Sequence, residues 1–94
     1  MTVSNNFATE LWSIESSLAD ELREVDFADS KVKYILNPLE YCEDPHLQYL
    51  DKYLTGPKTV LFLGLNPGPW GMGQTGVPFG AVSPCETFLQ ISGR

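Results

Sequence analysis

Residues 64–80, G-L-N-P-G-P-W-G-M-G-Q-T-G-V-P-F-G, hold the side chains whose types and spacing suggest chemistry. The polar side chains there are Asn66, Gln74 and Thr75, and the stretch has no Lys, Arg, His, Asp or Glu. A ligand bound here is met by backbone amides, by an amide side chain and by the apolar faces of Leu65, Trp70, Met72 and Phe79. That inventory suits a flat neutral ring better than a phosphate, which needs cationic partners. After Gly64 come five more glycines and three prolines. Glycine permits close backbone approach and positive φ, whereas proline fixes φ and removes a donor. Together they describe a tightly shaped loop.

One misleading signature lies inside it. Gly71-Met72-Gly73-Gln74-Thr75-Gly76 satisfies G-x-G-x-x-G. The dinucleotide fingerprint requires its first glycine directly after a strand and a helix opening within the motif. Here Pro67, Gly68, Pro69 and Trp70 intervene and V-P-F-G follows. Gly-Lys-Ser/Thr, the phosphate-loop signature, is absent.

Several elements must position this loop. Residues 60–63, V-L-F-L, form an unbroken apolar run, which reads as a strand buried on both faces of a parallel sheet. Open α/β sheets bind ligands beyond the carboxyl ends of their strands, where the loop begins. Phe7, Leu11, Ile14, Leu18 and Leu22 recur at spacings of four, three, four and four. That predicts an amphipathic packing helix capped by Ser4 or Asn5. Residues 32–36 suit a short strand or extended segment, ended by Asn37-Pro38. Asp44-Pro45 predicts the start of a second helix with Leu47, Leu50 and Leu54 inward, stopped by Gly56-Pro57. Ser83-Pro84-Cys85-Glu86 predicts a capping box opening a third. His46, the single histidine, has no acidic or serine partner at a telling spacing and reads as an exposed helix residue. Cys42 and Cys85 lie far apart and read as reduced apolar fillers.

The chain has 94 residues, enough for one small domain, and a net charge of −6. That charge argues against these residues supplying phosphate contacts to DNA. No apolar run is long enough for a transmembrane helix. The first residues lack the basic and apolar regions of a signal peptide. The expectation is therefore an intracellular protein.

The loop also carries a resemblance. G-L-N-P-G-P-W-G-M-G-Q-T-G-V-P-F-G resembles the first active-site motif of the single-strand-selective monofunctional uracil-DNA glycosylases, within the uracil-DNA glycosylase superfamily. The similarity extends back through Y-I-L-N-P-L-E-Y and G-P-K-T-V-L-F-L-G, covering residue 32 to the end. Three departures are mild: Leu65 replaces a usual Met, Trp70 a usual Phe and Gly73 a usual Ala.

The resemblance implies an α/β fold, the N-terminal part of a three-layer α/β/α domain with a central parallel sheet. Residues 1–94 would then be one incomplete domain: N-terminal helices, the first central strand, the motif loop 64–80 and the start of the next helix. It also implies base-excision repair, with hydrolysis of the N-glycosidic bond of uracil, and of 5-substituted uracil, in DNA. Uracil must leave the base stack to be cut, so a pocket for a flipped base is required.

On this reading Asn66 orients a water toward the sugar C1′, and Pro67 narrows where that side chain points. Phe79 stacks on the pyrimidine, and the amides near Leu65 and Gly68 receive the uracil oxygens. Met72 lies beside C5. Asn66 and Phe79 also fit blander readings, as a turn asparagine and a core phenylalanine. Tyr34 and Tyr41 either approach DNA or pack beneath the sheet. No metal or organic cofactor is implied. The partner is uracil-containing DNA, single- or double-stranded, with no membrane and a monomeric state. The location is nuclear in a eukaryote and cytoplasmic in a bacterium. The family's later motifs, including its histidine, are absent, so the chain is expected to be an inactive N-terminal fragment of an enzyme. The alternatives are a non-enzymatic nucleobase- or small-molecule-binding module and a piece with no function of its own.

Overall fold

A computed structural model describes residues 5–93. Its elements are α1 (Asn6–Leu22), α2 (Pro38–Tyr41), α3 (Glu43–Tyr53), α4 (Met72–Thr75) and α5 (Val82–Pro84). The last runs directly into a π-helical turn, Cys85–Leu89.

Helix α1 begins where Asn5, with extended backbone, accepts the Ala8 amide on its side chain at 2.7 Å. Asn5 also donates through Nδ2 to the Asp51 carbonyl at 3.0 Å, which ties the start of α1 to the end of α3. Arg23, just past α1, donates to Asp20 and, at 2.7 Å, to Glu40 of α2. The face of α1 turned inward carries Ala8 and Ala19, the two buried residues of the helix. The apolar stripe expected to face the core does not: Ile14, Leu18 and Leu22 are all at least half exposed. Small alanines let α1 approach its neighbours closely, and no described segment covers the larger side chains of the stripe.

Asn37 does more than end a segment. Its side chain accepts the Leu39 amide at 3.0 Å and caps the one-turn helix α2, with Pro38 at the first position. Helix α3 starts at Glu43 without a side-chain cap and buries Pro45, His46, Leu47 and Leu50. Its far end holds the C-terminal segment. Tyr53 Oη donates to the Leu89 carbonyl at 3.0 Å, Gln48 Nε2 to that of Ser92 at 2.8 Å, and Lys52 Nζ to that of Gln90. The small core beneath consists of Val77, Cys85 and Ile91, with Tyr49 and Leu89 packed against it. Both cysteines are buried, Cys85 within this core and Cys42 beside the loop.

The expected α/β fold with a central parallel sheet is not what forms. Among the described residues there is no strand, and residues 32–36 and 60–63 are irregular. The run that reads as a doubly buried strand is open to solvent: Val60 is 66% exposed, Leu61 84%, Phe62 79% and Leu63 88%. A strand is defined by the neighbour that satisfies its amides and carbonyls. Apolar character alone supplies no such neighbour, and these residues have none among those described. The expected capping box is corrected too. Ala81 is the N-cap of α5, and Ser83 lies inside the turn, where its carbonyl accepts Thr87 Oγ1 at 2.8 Å.

Candidate functional site

The loop of residues 64–80 has two limbs. The returning limb, from Gly71, is folded on itself and against Gly68 and Pro69 at the end of the outgoing limb. Gly73 donates to the Gly68 carbonyl at 2.8 Å, and the Gln74 and Thr75 amides donate to Gly71, winding α4. A Cβ on Gly73 would lie 2.6 Å from the Gly68 oxygen, so glycine is required by that close approach. Gly76 ends α4 at φ 72°, a left-handed backbone that glycine adopts without penalty. Thr75 is buried; its Oγ1 donates to the Gly80 carbonyl at 2.7 Å and accepts the Val77 amide at 3.1 Å. Gln74 Nε2 donates to the Pro69 carbonyl at 2.9 Å.

Two of the three polar side chains of the loop are thus committed to the loop itself. Asn66 remains, exposed on the outgoing limb. The amides of Leu65 and Gly68 donate to no acceptor among the described residues. Leu65 is 99% exposed, and Gly68 and Met72 are half-buried. Phe79 is 73% exposed. Its φ is +59°, a left-handed conformation uncommon for a bulky residue. Its ring edge would lie 3.2 Å from a Cβ placed on Gly64, so the end of the returning limb lies over the start of the outgoing one. The structure therefore brings Phe79 to Gly64 and Gly68 to Gly73, and leaves Leu65, Asn66 and Trp70 projecting outward. Two clefts lie elsewhere. One of about 350 Å³, between α1 and α2, has Trp12, Arg23 and Glu40 in its walls; one of about 20 Å³ lies against Thr75, Cys85 and Ile91. Neither is lined by Asn66 or Phe79.

The helical part grips the returning limb. Tyr41 Oη donates to the Gly73 carbonyl at 2.6 Å, and Cys42 Sγ to that of Gln74 at 3.3 Å. A Cβ on Gly76 would stand 2.7 Å from the Cys42 Cβ. His46, expected to be exposed, is 1% exposed. Its Nδ1 donates to the Gly76 carbonyl at 2.7 Å. Its Nε2 lies 2.9 Å from Glu15 Oε2, close enough for an ion pair but out of line for a hydrogen bond. Helical spacing carried no signal for this pairing, because Glu15 and His46 sit on different helices.

No family model matches the chain. Curated relatives do. Over 79 residues, 84% of this chain, it is 52% identical to a single-strand selective monofunctional uracil DNA glycosylase of Bos taurus. The proteins of that name from Rattus norvegicus and Mus musculus are 49% and 48% identical over the same length. This stretch is homologous to part of those glycosylases. The chain spans only 28–29% of the length of these relatives. The resemblance first visible in the loop is therefore carried by most of this chain. It does not depend on one short motif.

Proposed function

We propose that this sequence forms the part of a uracil-DNA glycosylase that meets the flipped base and directs water to its sugar. The observation that carries the reading is the division of labour in the loop. Gln74 and Thr75 are used internally, whereas Asn66 is exposed and the Leu65 and Gly68 amides have no acceptor among the described residues. In the reaction the oxygen of a water bonds to C1′ as the C1′–N1 bond breaks. The bonding pair departs on uracil, and the proton lost from water goes to solvent.

Asn66 is neutral and orients that water through its side-chain oxygen; it does not deprotonate it. Negative charge grows on uracil O2, and free amides at Leu65 and Gly68 are the type of donor that lowers the barrier there. Phe79 offers its ring as a stacking face, worth about 1–3 kcal/mol per base. Its left-handed backbone costs roughly 1–3 kcal/mol, strain of the kind that collects at functional sites. Met72 flanks C5. A net charge of −6 supplies no surface for DNA phosphates, so strand contact belongs to cationic residues outside this chain.

The test is a graft. The matching stretch of the Bos taurus relative is replaced by this sequence, and uracil release from single-stranded oligonucleotide is followed. The graft is expected to excise and its Asn66→Ala form to fail, while the isolated 94-residue chain releases none. A folded graft without activity overturns the proposal.

A further inference from the structure

His46 has no task in the chemistry above, yet it is a buried polar side chain at the meeting of three segments. Glu15 approaches from α1, the ring belongs to α3, and the Gly76 carbonyl comes from the loop. Trp12 and Tyr49 enclose it, with ring centroids 5.9 and 6.5 Å away. Gly76 is where the returning limb turns through positive φ against Cys42. The Thr75–Gly80 closure follows, and Phe79 lies within it. Fixing the Gly76 carbonyl therefore fixes the base of the segment that presents Phe79. We infer that His46 is a positioning residue, which anchors the returning limb at Gly76 and is itself held in place by Glu15. Its consequence for excision rests on the glycosylase reading; the anchoring does not.

The chemistry of the ring supports this. A carbonyl can only accept, so Nδ1 carries a hydrogen. Were the ring neutral with its hydrogen on Nδ1, Nε2 would sit as an acceptor 2.9 Å from a carboxylate oxygen with no positive charge to offset it. Glu15 Oε1 has no hydrogen-bond partner among the described residues, so His46 is the nearest compensation for that carboxylate. The titratable groups around the ring are Glu15 from α1, Tyr49 from α3 and Cys42 at the α2–α3 junction. The loop adds none. Burial is the largest single influence on the ring and disfavours its charge. The Glu15 carboxylate, by contact and by charge, and the Gly76 carbonyl together outweigh it, and the His46 pKa is raised above 6.5.

The experiment uses the full chain in solution. Imidazole nitrogen shifts are followed against pH by NMR, with amide hydrogen exchange at Val77, Gly80 and Leu54. The first two amides bond to Thr75 Oγ1 and the Val77 carbonyl within the returning limb; Leu54 bonds to Leu50 at the end of α3 and reports the helical part. The variants are His46→Ala, His46→Asn and Glu15→Gln. The asparagine amide nitrogen occupies the place of Nδ1 and keeps a donor for Gly76.

We expect His46→Ala to speed exchange at Val77 and Gly80 by at least about tenfold, with Leu54 changed by less than about twofold. His46→Asn should return the limb to within about threefold of the parent. The histidine should titrate above 6.5 in the parent and lower in Glu15→Gln. Unchanged limb exchange in the alanine variant overturns the inference. So does equal loss at Leu54, which would mean a general packing role, and so does failure of asparagine to restore protection. A midpoint insensitive to Glu15→Gln removes Glu15 from the anchor. These measurements read the limb directly, so they decide the inference whether or not the graft excises uracil.

Discussion

The two limbs of the glycine-rich loop are built to different rules. The returning limb, residues 71–80, is wound into α4, closed on itself through Thr75, tied to the Pro69 carbonyl through Gln74, and gripped by Tyr41, Cys42 and His46. The outgoing limb, residues 64–70, and the run 60–63 that leads into it present Leu61, Phe62, Leu63, Leu65 and Trp70 almost fully to solvent. Both are rich in glycine, proline and apolar residues, so composition does not separate them. What separates them is whether nearby backbone groups find partners within this chain. The returning limb behaves as a scaffold. The outgoing limb, with Asn66 at its centre, carries groups that the scaffold leaves unspent.

The largest expected effect tests the scaffold. Gly76→Val forces a β-branched residue to positive φ and drives its Cβ against Cys42, at a cost of roughly 3–5 kcal/mol. Gly68→Ala, with nothing within 4 Å of the new methyl, should change stability by less than about 0.5 kcal/mol. Chemical denaturation of the two variants checks both values. If they unfold alike, the limbs do not differ as described.

Next in size is Asn66. In the active graft, Asn66→Ala should slow single-turnover excision by about a hundredfold, roughly 2.7 kcal/mol, and leave DNA binding nearly unchanged. Asn66→Asp should keep more activity, because a carboxylate orients the same water and also accepts its proton. An equal loss of binding and rate in the alanine variant would make Asn66 a turn residue and bring the outgoing limb closer in kind to its partner.

Phe79 sharpens the comparison, since it belongs by position to the scaffold and by exposure to the presented groups. Phe79→Leu should lower excision about tenfold, equivalent to roughly 1.4 kcal/mol, with Tm held within a few degrees. Phe79→Trp should retain activity, as it keeps a stacking face. A leucine variant that melts early but excises normally at low temperature would return the ring to the core.

The smallest effect is the pH dependence of the grip itself. A group whose pKa is higher folded than unfolded contributes stability that is complete below its unfolded value. For His46 that contribution is present below about pH 6.5 and is lost as pH rises through the raised folded value. Thermal unfolding from pH 6 upward should show a decline that Glu15→Gln flattens. A parent curve with the same slope as the variant would remove the ion pair from the stability of the chain.

Local signals carried much of this protein. A cap at Ser4 or Asn5, the existence of α1 and α3, a stop to α3 before Gly56-Pro57 and the shaped loop all follow from spacing and from residue chemistry acting over a few positions; the structure makes Asn5 the cap and ends α3 at Tyr53. So does the inventory of the loop, because a stretch without charged residues leaves only Asn66, Gln74, Thr75, backbone amides and apolar faces. Tertiary structure decided the rest. It turned α1 so that Ala8 and Ala19, and not the Ile14–Leu18–Leu22 stripe, meet the neighbouring helices. It withheld a strand partner from residues 60–63, whose apolar run states what the segment would bury and not whether a neighbour is there to pair with it. It also spent Thr75 and Gln74 inside the loop and buried His46 between Glu15 and Gly76, 31 and 30 residues away. Periodicity reports which face of a segment is apolar; only the assembled chain determines which polar atoms are already satisfied, and those left over are the ones available for function.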